Sequence, residues 1–176
     1  VSRILDLGAT GVMVPMVETA SQAQQLVEWA KYPTLGRRSY SGGAHTGYGP
    51  SGNHQQSMER ANASVLAIAQ IETVEGVRNC DEILSVEGLD AAIIGPCDLA
   101  ISMGEPDNVG CDEELALIDE VRDACKKHGK GFGIIGGNAL LARYANDINF
   151  MVSAIDTHIL RDSFAAAVND YRKIGE

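Results

Sequence analysis

The sequence has 176 residues, 45% of them apolar and 22% charged, with a formal net charge of -10. That length suits a single α/β domain with a sizeable core, and the acidic balance excludes nucleic acid, whose phosphates need a basic face. No apolar run approaches the roughly 20 residues of a membrane span, and the first six residues read as helix rather than as a signal peptide. An anionic small molecule stays compatible, because one bound cation inverts the local field. The cysteines at 80, 97, 111 and 125 form no C-x-x-C pair and no zinc-finger spacing. Reduced thiols and a cytoplasmic location are the expectation.

Along the chain, short β-branched runs alternate with longer helical patterns, the rhythm of a parallel sheet or barrel. Residues 11–16 form the first strand candidate, stopped by Pro15, and a helix is predicted over 18–30 with Ala23, Leu26, Val27 and Ala30 on one face. Residues 32–57 carry Gly36, Gly42, Gly43, Gly47, Gly49, Gly52, Pro50 and the pair Arg37-Arg38. A loop of that length is functional or a mobile surface excursion. A short helix over 58–63 leads into an almost wholly apolar strand at 65–71, expected to be buried on both faces. Helix is predicted over 73–86, strand over 89–95, helix over 112–128 ended by Gly129, and strands over 131–135 and 150–155 flanking a helix at about 139–145. A helix from about 156 to 174 closes the chain. A full eight-fold barrel takes about 250 residues, or about 31 per unit. Five strands therefore mean either a complete smaller α/β fold or a barrel without its first three strands.

Two strand ends carry carboxylates: Glu72 in Gln70-Ile71-Glu72-Thr73, and Asp98 in Gly95-Pro96-Cys97-Asp98-Leu99. In parallel barrels the C-terminal strand ends form the active face, so both would reach one mouth from neighbouring strands. Two oxygen ligands with positions left for water and substrate suit Mg²⁺ or Mn²⁺. The bland alternatives are that Asp98 caps a helix and that Glu72 sits in a first helical turn. Gly136-Gly137-Asn138 is a weaker candidate, a phosphate cradle or simply a tight turn. His54 and His158 suggest no site, and His128 before Gly129 reads as a helix C-terminal cation.

Gln70-Ile71-Glu72-Thr73, the run from Gly88 through Gly95-Pro96-Cys97-Asp98 to Ala100, and Met103-Gly104 resemble the aldolase/citrate-lyase family. The closest branch is that of the 4-hydroxy-2-oxoheptanedioate and 2-keto-3-deoxyglucarate aldolases. Gly11-Val12-Met13-Val14-Pro15-Met16-Val17, Tyr32-Pro33 and Gly36-Arg37-Arg38-Ser39 are similar to the same branch, in the same order. The resemblance implies a (β/α)8 TIM barrel of the phosphoenolpyruvate/pyruvate type, of which this chain would be the last five units. It implies a divalent metal on Glu72 and Asp98, pyruvate chelating that metal, Gln70 beside the pyruvate, and the N–H groups of Cys97 and Asp98 on its carboxylate. The implied reaction is reversible retro-aldol cleavage of a 4-hydroxy-2-oxo acid to pyruvate and an aldehyde, without a Schiff-base lysine. No lysine ends a predicted strand.

The family's catalytic His and Arg would precede Val1, so no residue of this chain is assigned as its base, and neither His45 nor Arg38 takes their place. Little turnover is expected of the 176 residues alone. Cys97, where the family has another small residue, reads as an apolar packer, and residues 39–43 diverge from the family's Gly-rich loop. Two other readings stay open. One is a CoA-thioester lyase of the malyl- or citramalyl-CoA kind, whose basic mouth only Arg37 and Arg38 would supply. The other is a truncated, non-catalytic chain that binds metal and pyruvate or serves assembly. A five-strand arc exposes two edges, and the closing helix carries Ile159, Leu160, Phe164, Val168 and Ile174, so a homo-oligomer is expected.

Overall fold

The computed structural model describes residues 1–48 and 52–175. Five strands, β1 (Gly11–Val14), β2 (Leu66–Ile71), β3 (Ala91–Ile94), β4 (Gly131–Ile135) and β5 (Phe150–Val152), lie side by side in chain order. All neighbours are parallel, with Gly11 opposite Leu66, Ile68 opposite Ala91, Ala91 opposite Gly131 and Gly133 opposite Phe150. Crossovers of one hand between strands in unbroken order place their helices on the same side of the sheet. A doubly wound sheet, by contrast, reverses its order at a switch point. The arrangement is therefore an arc of barrel.

Burial follows from that geometry. The outward residues Ala67, Ala69 and Ile71 of β2, Ala92 and Ile94 of β3, and Phe132 and Ile134 of β4 form the core with the helices. Leu26 and Val27 come from α2 (Ala20–Ala30), Ile83 and Leu84 from α5 (Cys80–Leu84), and Ile118 and Val121 from α7 (Asp112–His128). The inward residues of β1 and β2 are less covered, with Leu66 48% exposed and Met13 42%, whereas Ile93 of β3 is buried on that face too. The expectation that β2 is buried on both faces is thus corrected, because its inner face looks into an arc that the described residues do not close.

The chain's local chemistry sets the element ends. Thr19 caps α2 through a reciprocal box with Gln22, which starts the helix at Ala20 rather than 18. Asn53 caps α3 (His54–Ser64), which begins before the predicted 58. The helix predicted over 73–86 is two short ones, α4 (Val74–Arg78) and α5, broken at Asn79. The Asn79 amide leaves the helical line to donate to Glu18 O at 2.8 Å and Glu75 Oε1 at 3.0 Å. A helix not separately predicted, α6 (Pro96–Met103), follows β3, while α8 (Asn138–Arg143) and α9 (Asp156–Arg172) lie close to expectation. Strand β5 stops at Val152 instead of 155, where pairing with β4 ends.

Residues 32–48 are anchored at the strand-start end. The Arg38 side chain is buried, donates to Asp6 Oδ1 at 2.7 Å and lies 4.7 Å from the centre of the Tyr32 ring. Tyr32, Arg38 and Tyr40 line a cavity of about 430 Å³ with Thr10 and Val65, the residues that precede β1 and β2. Gly49 and Pro50, part of the loop singled out in the sequence, lie outside the described residues, as does the side chain of His45. Nearby, Lys31 is 1% exposed and ties four segments together. Its ammonium donates to Asn62 O at 2.9 Å and to Val65 O, and pairs with Asp90 at 2.8 Å, while Asp90 accepts from Ala67 N at 2.7 Å.

Candidate functional site

Glu72 follows β2 directly and precedes Thr73, whose hydroxyl caps α4 by accepting from Gly76 N at 3.0 Å. It is therefore outside the helix, and the first-turn alternative does not hold. Its side chain is turned into the arc and only 2% of the residue is exposed. Oε1 accepts from the backbone N–H of Met16 at 3.0 Å, and Oε2 accepts from the side-chain amide of Gln70. Among the described residues no lysine or arginine pairs with it. A buried carboxylate held only by neutral donors lacks a counter-charge.

Asp98 sits one unit on, in the first turn of α6. The N-cap of α6 is Gly95, so Asp98 does not cap the helix, and both Cys97 and Asp98 are exposed. The Cys97 and Asp98 N–H groups belong to the first turn, whose donors have no partner within a helix. Gly95 joins the two halves of the site. A Cβ there would overlap Glu72 Oε2 and lie 3.1 Å from Gln70 Nε2, so the missing side chain is the space in which Glu72 and Gln70 rest.

Cys97 is a correction: it does not pack in the core but lines a cavity of about 610 Å³ beside the mouth. Val109, Leu115, Ile135, Leu140 and Arg143 line it too. All four cysteines are free thiols. Burial pushes the Cys125 thiol up to about 12 and also raises that of Cys80, so these two are inert packers. Glu114, not singled out in the sequence, is fully buried on α7, and burial lifts its carboxyl above the usual range although it accepts from the Gly110 N–H. It anchors the loop that reaches the cavity, with Gly110 left-handed at φ +87°.

The basic mouth imagined for a CoA substrate is also corrected. Arg38 is buried on Asp6 and Arg37 lies 3.9 Å from Glu28, both at the opposite end from Glu72. Arg143 lines the cavity near the mouth, and its place on a six-residue helix after a Gly-Gly strand end gave no readable signal. The histidines lie elsewhere. His54 meets the Tyr40 ring edge-on with ring centres 5.2 Å apart, His128 meets Asp81 at 2.8 Å, and His158 is exposed on α9. Gly136 and Gly137 lead into α8, with Gly137 as its N-cap.

An all-parallel arc in chain order, with carboxylates at the C-terminal ends of adjacent strands, is architecture of the TIM-barrel type. Residues 1–153 match the family HpcH/HpaI aldolase/citrate lyase, and the chain belongs to that family. It is 32% identical over 176 residues to a 2-keto-3-deoxy-L-rhamnonate aldolase of Salmonella paratyphi B, covering 99% of this chain and 66% of the relative. The chain thus spans just under two thirds of that relative's length. Among solved structures it is similar to an HpcH/HpaI aldolase from Desulfitobacterium hafniense DCB-2, with a TM-score of 0.90 and 29% identity over 97% of this chain and 67% of that one. The citrate synthase SbnG superposes with a TM-score of 0.85 and 27% identity over 99% of this chain and 67% of that one.

Proposed function

We propose that the chain carries the metal- and pyruvate-holding half of a carbon–carbon lyase site, which cleaves a 4-hydroxy-2-oxo acid to pyruvate and an aldehyde and runs the reverse condensation. The observation that carries this reading is Glu72: a buried carboxylate, oriented through both oxygens, without a cation from the described chain beside it. A divalent ion supplies the missing counter-charge, and each carboxylate oxygen keeps a second lone pair for it. The donor set fits a hard cation. Among the described residues no cluster of three or more His, Cys, Asp or Glu exists, so Glu72 and Asp98 would hold Mg²⁺ or Mn²⁺ with water and substrate oxygens completing the shell. When bound, such an ion polarises the 2-keto oxygen and offsets the negative charge that develops there.

The chain's own residues do the positioning. The Cys97 and Asp98 N–H groups at the start of α6 receive the substrate carboxylate, as helix N-termini do. The Gln70 amide keeps Glu72 turned toward the mouth and lies where the keto acid docks. The cavity beside Cys97, apolar except for Arg143 and Asn138, stands next to that position. Cleavage also requires a group that takes the proton of the 4-hydroxyl within hydrogen-bond reach. In this reading that base comes from a segment outside these 176 residues. A Schiff-base route would need an amine from outside these residues. Lys31, Lys126, Lys127 and Lys130 are at the strand-start end, and Lys173 ends α9. The working form is taken to be a homo-oligomer, since α9 is exposed along its whole length.

The test is pyruvate release from a 4-hydroxy-2-oxo acid with Mg²⁺ or Mn²⁺. It compares the 176-residue chain with a chimera completed by the N-terminal segment of the rhamnonate aldolase relative. The chimera is expected to turn over in a metal-dependent way. The chain alone should be slower by the 10²–10⁴-fold that a positioned base typically contributes, or more. Equal turnover would place the base inside these 176 residues, and a chimera indifferent to chelator would refute the metal reading.

A further inference from the structure

Met16 has φ +56°, a left-handed conformation that a non-glycine residue holds only where its surroundings over-determine it. Val14, two residues before Met16, is paired with Ala69 in the sheet, and the chain after Met16 is pinned as well. Val17 is 1% exposed and its N–H donates to Gln70 O at 3.1 Å. Gly76 of α4 comes so close that a Cβ there would lie 2.8 Å from the Val17 carbonyl oxygen, and Asn79 holds the Glu18 carbonyl at 2.8 Å. The outcome of that pinning is a backbone N–H directed at Glu72 Oε1 at 3.0 Å.

We propose that the turn at residues 15–17 is the positioning device of the site, with the left-handed Met16 fixing the carboxylate of Glu72 through its N–H. The inference rests on the metal reading of Glu72. Gln70 links the two, since its carbonyl accepts from Val17 while its amide donates to the other oxygen of Glu72. The end of β2 and the turn after β1 therefore hold one carboxylate from both sides. Met16 contributes no side-chain atom to this. Its side chain is half exposed and lines a separate hollow with Gln25 and Trp29.

The experiment measures Mn²⁺ affinity by calorimetry and the metal-free thermal midpoint. The variants are Met16 replaced by its α-hydroxy analogue, which deletes only the N–H, Met16→Val, which opposes the left-handed turn, and Met16→Gly, which permits it. Outer partners of a metal ligand typically contribute 10–100-fold in affinity, so the ester should raise Kd by that factor, with Met16→Val shifted the same way. Met16→Gly should bind close to wild type. A Met16→Val protein with a lowered midpoint but unchanged Kd, or an ester with wild-type Kd, would overturn the proposal, as would a Met16→Gly protein as weak as the ester. Glu72→Gln is the control for the underlying reading. If it too binds Mn²⁺ normally, the metal assignment fails and the inference with it. If it loses binding while the ester does not, only the role of Met16 is lost.

Discussion

Glycine 95 illustrates what a side chain's absence does at this site. Its bare Cα leaves room for the Glu72 carboxylate and the Gln70 amide, and an added methyl would lie 3.2 Å from Glu72 Cβ and overlap Oε2. Gly95→Ala must therefore displace the carboxylate or shift the backbone between β3 and α6. Overpacking of this kind typically costs about 1–3 kcal/mol. A ligand turned out of place loses metal at least at the roughly 10-fold level known for disturbed outer contacts. Urea unfolding and Mn²⁺ titration of the variant read the two effects separately, and normal affinity in a destabilised protein would show that Gly95 serves the fold alone. The place of Glu72 and Asp98 at adjacent strand ends was readable in the sequence because a carboxylate where an apolar strand yields to a helix is a side-chain signal. Gly95 and Met16 were not. One acts by having no side chain and the other through its backbone N–H, and neither leaves a pattern in residue types.

At the scale of elements, the long helices and the apolar strands were legible, while the break within 73–86 and the bounds of α6 were not. Residues 112–128 and 131–135 appear as α7 and β4 with the predicted bounds, since a long 3.6-residue period ended by Gly129 and a β-branched run leave little ambiguity. The break at Asn79 was hidden because its side-chain amide is drawn to the distant Glu18 carbonyl, a tertiary contact that local propensity does not show. Helix α6 was given no bounds, although a helix capped by Asp98 was one reading, because eight residues between Gly95 and Gly104 show little periodicity. Helix α9 raises a different question. Ile159, Leu160, Phe164 and Tyr171 are 55–75% exposed, and no helix or strand of the described chain covers them. An apolar face of that extent marks an interaction surface, and β1 and β5 are the two edges of the described sheet. Light scattering at micromolar concentration is expected to give a homo-oligomer, and Leu160→Asp with Phe164→Asp to lower its mass. A monomer before substitution would contradict this.

At the scale of the whole molecule, strand order carries the argument. Five parallel strands in chain order cannot satisfy both faces with one layer of helices, so the outer face is packed and the inner face opens toward the mouth. That topology brings Glu72, Gln70, Gly95 and Asp98 to the C-terminal ends of adjacent strands, while Arg37, Arg38 and Lys31 remain at the other end. The count of five strands was readable from the sequence. The alternation by itself left open whether they form a complete small fold or an arc, and the family resemblance implied the arc. Membership of the HpcH/HpaI family and a span of 66% of the aldolase relative decide for the arc. The central claim is that Glu72 and Asp98 together hold a divalent ion on which pyruvate docks. Proton relaxation of the pyruvate methyl group in the presence of Mn²⁺ tests it most directly, because a slowly tumbling paramagnetic complex speeds that relaxation. The wild-type protein should enhance the relaxation well beyond free Mn²⁺, and Glu72→Ala and Asp98→Ala should each abolish the enhancement. Full enhancement in both variants would contradict the claim.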